Sequence, residues 1–460
     1  MLRHALLSFA VLLSVSTARA DVYLVVSDGT GDFPTIQAAI NAATDGDVIL
    51  LGDGTFVGDG NRDLTYGGKA ITIQSENDDP QGCILDCQGS EGDPHRGVAF
   101  VSDETRESVL RGITIMNGWV GGWDFPEGSG GAVLCEWSSP TIENCVFLNN
   151  AARSGGGMTS FYGSSPAIID CTFEGNDAYY GGKGGGLLVD SSIHPLVTGC
   201  TFRNNSDTGI SSEGSGTEVR NCDFSGHANF GVTCGDGYTH TYIIDGCRFF
   251  DNLGPGLRCT SAGGVISSCA FWANEAEDGA ALLLVFGFSG TVSDCLFYGN
   301  RAAESGGAVW CGDATATFEN CTIAYNEAGN GAGGIHCGSA TVTLENTIIA
   351  FSTAGGAVAG AADLSCCDLY GNAGGNWIGD IAGQYGIDGN ISEDPIFCDP
   401  WSDDFTLQSD SPCAPFSLPN PECDLIGSEP IGCQPPTGVW PPAEAASWGG
   451  VKALFREGTD

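Results

Sequence analysis

The chain has 460 residues, and 57 acidic against 16 basic side chains give a formal charge of −41. Such a surface repels phosphates, which excludes nucleic acid as a partner, and it disfavours acidic polysaccharides unless Ca²⁺ bridges the two. Acid-rich loops make Ca²⁺ the one ion this chain would collect, and no other cofactor is expected.

At the N-terminus, Arg3 and His4 precede an apolar run from Ala5 to Val15, and Ala18-Arg19-Ala20 has the small-x-small form of a signal-peptidase site. Residues 1–20 therefore read as a leader. The mature chain from Asp21 keeps 14 basic residues against 57 acidic, a charge of −43. An eleven-residue apolar run is too short to span a bilayer, which takes about 20 residues. No later segment qualifies, since Ala280–Phe288 reads as a buried strand. The 21 cysteines fit an oxidising compartment, and their odd number leaves at least one unpaired within the chain. Glycine supplies 71 residues with no period of three, which asks for many tight turns between short strands.

Pro34 to Ala43 has helical spacing, with Ile36, Ala39, Ile40 and Ala43 on one side, and is expected to cap the fold. A phrase then recurs: ENCVFLNN ends at Asn150, IDCTFEGN at Asn176, TGCTFRNN at Asn205, DGCRFFDN at Asn252, SSCAFWAN at Asn274, SDCLFYGN at Asn300 and ENCTIAYN at Asn326. RNCDFSGH ends in His227 instead. From Cys145 to Cys321 the cysteine recurs at steps of 26, 29, 22, 25, 22, 26 and 26 residues. Cys-x-Phe places both side chains on one face of a strand. A second strand lies upstream, in GGAVLC at Cys135, PGLRC at Cys259, GGAVWC at Cys311 and GGIHC at Cys337. No single coil can bury its inner face, so the coils must stack.

This predicts an all-β, single-stranded right-handed parallel β-helix over residues 21–433, a monomer of about a dozen coils. Phenylalanines should stack along the axis, and cysteines should fill the inner face as small buried hydrophobes. The asparagines should take left-handed backbone at a bend and form an amide ladder. Disulfides are expected at the irregular ends, Cys83 with Cys87 and pairs among Cys398, Cys413, Cys423 and Cys433. DPIFCDPWSDDFTLQSDSPCAPF reads as a closing coil, followed by a Pro-rich spacer and short tail over 434–460.

VVSDGTGDFPTIQAAINAATDGDVILLGDGTF closely resembles the opening of pectin-lyase-like right-handed β-helix proteins, including pectin methylesterases. The GGA[VI] and FxxN elements resemble the repeats of chlamydial polymorphic outer-membrane proteins, which are surface adhesins. The resemblance implies the fold and an extracellular or cell-surface location. It implies no single function, because this superfold hosts lyases, esterases, hydrolases and adhesins. The methylesterase phrase GxVDFIFG and the polygalacturonase set NxD…DD…GHG are both missing. Asp93-Pro94-His95 resembles a short phrase of mannuronan epimerases without its aromatic-glycine context, and reads as a turn.

If Val133 and Cys135 point inward, the outward column is Leu134, Thr159, Leu188, Ser211, Thr233, Arg258, Leu284, Trp310 and His336, with no carboxylate. A Lys-based lyase would have to use Lys183, in the loop YYGGKGGG. The histidines show no metal-ligand spacing. The best binding candidate is the insertion NGWVGGWDFPEGSGG, which sets Trp119, Trp123 and Phe125 beside Asp124 and Glu127. Tyr179 and Tyr180 extend that surface. Exposed aromatic rings on a loop suit sugar stacking or protein contact. The sequence therefore favours a secreted or surface-displayed, non-catalytic binder of polysaccharide or a cell-surface partner. A polysaccharide lyase or glycoside hydrolase is the alternative.

Overall fold

The computed structural model describes residues 20–122, 127–235, 241–261 and 263–434. Residues 1–19, those from Pro435 onward, and Trp123, Asp124 and Phe125 lie outside them. Three long sheets of 14, 13 and 14 strands run the length of the molecule, and the chain visits them in turn. We call them A, B and C. Every strand pair within them is parallel and nearly all are in register, as in Ile142 beside Ile168, Phe147 beside Phe173 and Leu134 beside Thr159. The result is a parallel β-helix.

One coil shows why this sequence bends where it does. Thr141–Glu143 forms the sheet A strand and Asn144 turns the chain at φ 49°. Val146–Leu148 forms the sheet B strand, followed by Asn149 at φ 54°. After a loop, Met158–Phe161 forms the sheet C strand and Tyr162 turns back at φ 51°. Left-handed backbone is what lets three short strands close a coil without a long connection. The left-handed residue is the one before the repeated asparagine, not the asparagine itself. Asn149, Gly175, Asn204, Gly226 and Asp251 hold that position in successive coils.

The repeated asparagine is instead fully buried and bonded in both directions. Asn176 Nδ2 donates to the Phe147 carbonyl at 2.9 Å and to Asn205 Oδ1 at 3.0 Å. Its own Oδ1 accepts from Asn150 N at 3.0 Å and Asn150 Nδ2 at 3.1 Å. The same pattern joins Asn252, Asn274, Asn300 and Asn326. Phe147 to Phe297 stack at centroid distances of 4.5 to 5.0 Å with no exposed surface.

The cysteine column is buried, as expected, and it also carries hydrogen bonds. Cys171 Sγ donates to the Ile169 carbonyl at 3.2 Å and accepts from the Cys145 amide at 3.5 Å. Thr347 Oγ1 takes the same role where the column loses its sulfur. Burial pushes the Cys367 thiol up to about 12, so it stays protonated.

Cys83 and Cys87 are both free and buried. They stand four residues apart on extended chain, roughly 13 Å, well beyond the 4.4–6.8 Å a disulfide spans. The bridges are Cys398–Cys433 and Cys366–Cys423, and Cys413 is a buried thiol.

The helix Ile36–Ala42 covers one end of the bore with Ile36, Ala39 and Ile40. At the other end Ile381, on a short 3-10 turn, joins the main core. The segment after it is not another stacked coil. Phe397, Phe405, Leu407, Cys413 and Ile426 fold back along the outside of sheet B and bury Tyr298, Ala324 and Ala350 in a second small core.

Candidate functional site

Sheet C carries the longest loops at its entry edge, and two of them approach each other there. Trp119 pairs with His95 through two backbone bonds of 2.8 Å and forms a further bridge to Ala151. Tyr179 enters from a later coil and stacks on Trp119, rings 5.5 Å apart and 5° from parallel. Its hydroxyl donates to the Val120 carbonyl at 2.5 Å, which fixes the loop, and burial pushes that hydroxyl's pKa up. Tyr180 stands edge-on to Tyr179 at 5.0 Å and is 73% exposed. With Glu91, Gly121, Gly122 and Arg153 these rings line a cavity of about 230 Å³. Glu127 is exposed and its Cβ lies against Gly122 at the same margin.

The structure thus brings Trp119, Tyr179 and Tyr180 together from positions up to 61 residues apart. Lys183 is not among them. The loop runs on through Gly182, where any Cβ would meet the Arg153 carbonyl at 1.4 Å, so only glycine lets the backbone pass this close. Lys183 emerges over a second cavity of about 200 Å³, lined by Asp207, Ser211, Glu213, Phe230, Thr233 and Arg258. Its ammonium pairs with Glu213 at 2.5 Å. Ser211 Oγ lies 3.3 Å from both Glu213 Oε1 and Thr233 Oγ1. Arg258 lies against Phe230 and Phe286, 5.7 and 6.0 Å from the ring centroids. One glycine-rich loop therefore separates an aromatic cavity from a charged one.

Sequence reasoning placed Arg258 on the outward face but missed its neighbours, because Glu213 and Phe230 come from different coils with different loop lengths. It also took Leu284 as outward. The register pairs Arg258 with Leu283, and Leu284 is buried beside Cys259. That coil lacks the cysteine that anchors the alignment elsewhere.

Asp93-Pro94-His95 is a turn, yet not an idle one. His95 Nδ1 lies 2.6 Å from Asp63 Oδ2, and Nε2 lies 3.3 Å from Asp93 Oδ1. This cluster is one backbone bridge from Trp119.

Among the described residues no group of three or more His, Cys, Asp or Glu could hold a metal ion. No helix among them is long and apolar enough to cross a membrane.

A family model described as the right handed beta helix region matches residues 179–323. The chain is a right-handed parallel β-helix. Among solved structures, a pectate lyase aligns at 14% identity over 90% of this chain and 96% of its own, with a TM-score of 0.39. The A-module of a mannuronan C-5 epimerase from Azotobacter vinelandii aligns at 14% identity, 78% and 95% coverage, and a TM-score of 0.46. A family 28 exopolygalacturonase from Yersinia enterocolitica aligns at 11% identity, 82% and 78% coverage, and a TM-score of 0.44. Comparison with curated protein sequences gave no significant match.

Proposed function

We propose that the chain is an exported, monomeric β-helix that binds polysaccharide at the Trp119 cavity without cleaving it. The observation that carries this reading is the stack of Trp119 on Tyr179 with the exposed ring of Tyr180 beside it, braced by the Val120 bond. Rings held this way lose little entropy when a sugar settles on them. Glu91 and Arg153 supply hydrogen-bonding groups at the rim. The test is a glycan array probed with the secreted chain, Trp119→Ala and Tyr180→Ala. Loss of roughly tenfold in affinity in each variant supports the reading. Unchanged binding removes it. Sequencing the mature N-terminus at Asp21 tests export.

A catalytic reading rests on a different observation, the imidazole of His95 held between Asp63 and Asp93 beside the same rings. A histidine between carboxylates is poised for proton transfer. Lys183 suits that role less well, since its ammonium is already paired with Glu213. Release of unsaturated ends from a uronate polymer, abolished by His95→Ala, would replace the binding assignment with a lyase.

A further inference from the structure

The corner where sheet C returns to sheet A carries an aromatic surface that belongs to neither cavity. Trp137 is 63% exposed, Tyr162 45% and Ile193 59%, on three consecutive coils. Trp137 and Tyr162 both sit in left-handed backbone, at φ 53° and 51°. For bulky side chains that conformation is strained. Other coils place Ser191, Gly214, Gly235, Ser261 and Asp313 at the same corner, and only Phe286 repeats an aromatic ring among them, so the fold itself does not call for aromatic rings there.

The rings are held, not merely exposed. Their centroids lie 5.9 Å apart at 26°, and buried Phe161 meets Tyr162 edge-on at 4.6 Å. The indole lies across Gly163, where an added Cβ would stand 3.2 Å from its Cζ3 atom and 3.9 Å from Ile193 Cδ1. A side chain at 163 would lift the ring off the surface. Along the inner margin, Glu136 and Asp190 occupy the strand positions in register on either side of Phe161.

We infer that Trp137 and Tyr162 form a second carbohydrate-stacking site, for a neutral glycan lying along the helix axis with one ring per coil. Three exposed side chains offer far less than the roughly 800 Å² per partner that a stable protein interface buries. A pyranose covers a single indole face and needs no more. Glu136 and Asp190 accept hydrogen bonds from sugar hydroxyls and repel anionic sugars, as does the acidic surface at large. Trp119 precedes the strand Val133–Glu136 and Trp137 follows it, so the two sites flank the same stretch of sheet C. This second site stands on its own geometry, whatever the Trp119 cavity binds.

Affinity electrophoresis of the full chain through gels holding hydroxyethylcellulose, xyloglucan, galactomannan or polygalacturonate tests it. Trp137→Ala should lower the affinity for a neutral polymer about five- to tenfold, and Trp137→Tyr should restore most of it. Tyr162→Ser, which relieves the strained corner, serves as a second variant, with circular dichroism confirming the fold of each. Trp119→Ala should leave this component in place. A neutral-polymer affinity that falls with Trp119→Ala but not with the corner variants overturns the inference and spares the first site. No retardation in any neutral polymer, retardation by polygalacturonate alone, or self-association abolished by Trp137→Ala each overturns it as well.

Discussion

The asparagine ladder is interrupted at His227 and again at Ser352, and mending the first break tests how the coils are held. At His227 the backbone N–H still donates to Asn252 Oδ1 at 3.1 Å, but neither ring nitrogen meets a partner with hydrogen-bond geometry. Asn205 keeps the bond from Nδ2 to the Phe173 carbonyl. The amide oxygen that would serve its backbone N–H and second amide proton is missing from the coil below. His227→Asn supplies that oxygen and an Nδ2 that reaches the Phe202 carbonyl and Asn252. Three or four new buried bonds at about 1 kcal/mol each, less about 1 kcal/mol for lost ring packing, give a net gain of roughly 2 kcal/mol.

Acid sharpens the contrast. Burial lowers the His227 pKa from 6.5 to about 4, so the folded state resists protonation more than the unfolded state does. Its neutral form contributes stability above pH 6.5 that is lost as pH falls toward 4, up to about 3 kcal/mol. Asparagine does not titrate. Guanidinium unfolding at pH 7.5, 5.5 and 4.0 should therefore show His227→Asn more stable throughout, by a margin that widens as pH falls. A variant less stable than the parent at pH 7.5, with a difference independent of pH, refutes the ladder account.

Three further outcomes are expected. Asp368 is buried, accepts from Glu393 N at 3.0 Å and from the Cys413 thiol at 3.2 Å, and burial raises its pKa from 3.8 to about 7. The stability it contributes is complete below pH 3.8 and lost as pH rises through 7, about 4 kcal/mol at most, so Asp368→Asn should raise the thermal midpoint at pH 8 and leave it unchanged near pH 3.5. Phe249→Ala removes a ring stacked between Phe224 and Phe271 and should cost about 3–5 kcal/mol by chemical denaturation, far more than a change at exposed Leu253. Replacing Cys366 and Cys423 with alanine opens a 57-residue loop and should weaken the C-terminal segment by about 4 kcal/mol, read as faster cleavage there in limited proteolysis.

The solenoid was legible because its inner columns repeat side chains with one physical job each. Phe and Asn recur at fixed offsets from Cys, whatever the loop lengths, since the bore leaves no freedom. The bend was misplaced by one residue for an equally physical reason: the left-handed position admits Asn149, Gly175, Asp251 or Ala273, and so shows no consensus. The candidate sites were half legible. Trp119, Tyr179 and Tyr180 could be named as a group because aromatic residues on loops are conspicuous. Glu91, Arg153 and Glu213 could not, since ordinary charged residues acquire meaning only once coils of unequal length are laid side by side. Trp137 and Tyr162 escaped notice because they follow a strand directly instead of sitting in an insertion. The bridge between Cys366 and Cys423 was hidden because Cys366 stands directly beside Cys367, which holds the column position.

The fold-back of the chain end along sheet B has a consequence for how this molecule can vary. In a stack of equivalent coils each layer senses only its neighbours, and nothing local counts how many there are. Here Ser428 N donates to Thr322 Oγ1 at 2.9 Å and Gly427 N to the Asn346 carbonyl at 2.7 Å. Those bonds fix the number of layers between Thr322 and the end, as notches fix the reach of a caliper. A coil duplicated or deleted after Thr322 would carry the terminal residues past their seats, whereas the same change ahead of Tyr298, which Phe405 covers, would leave them aligned. Growth and shrinkage of the repeat array are thereby confined to its N-terminal side.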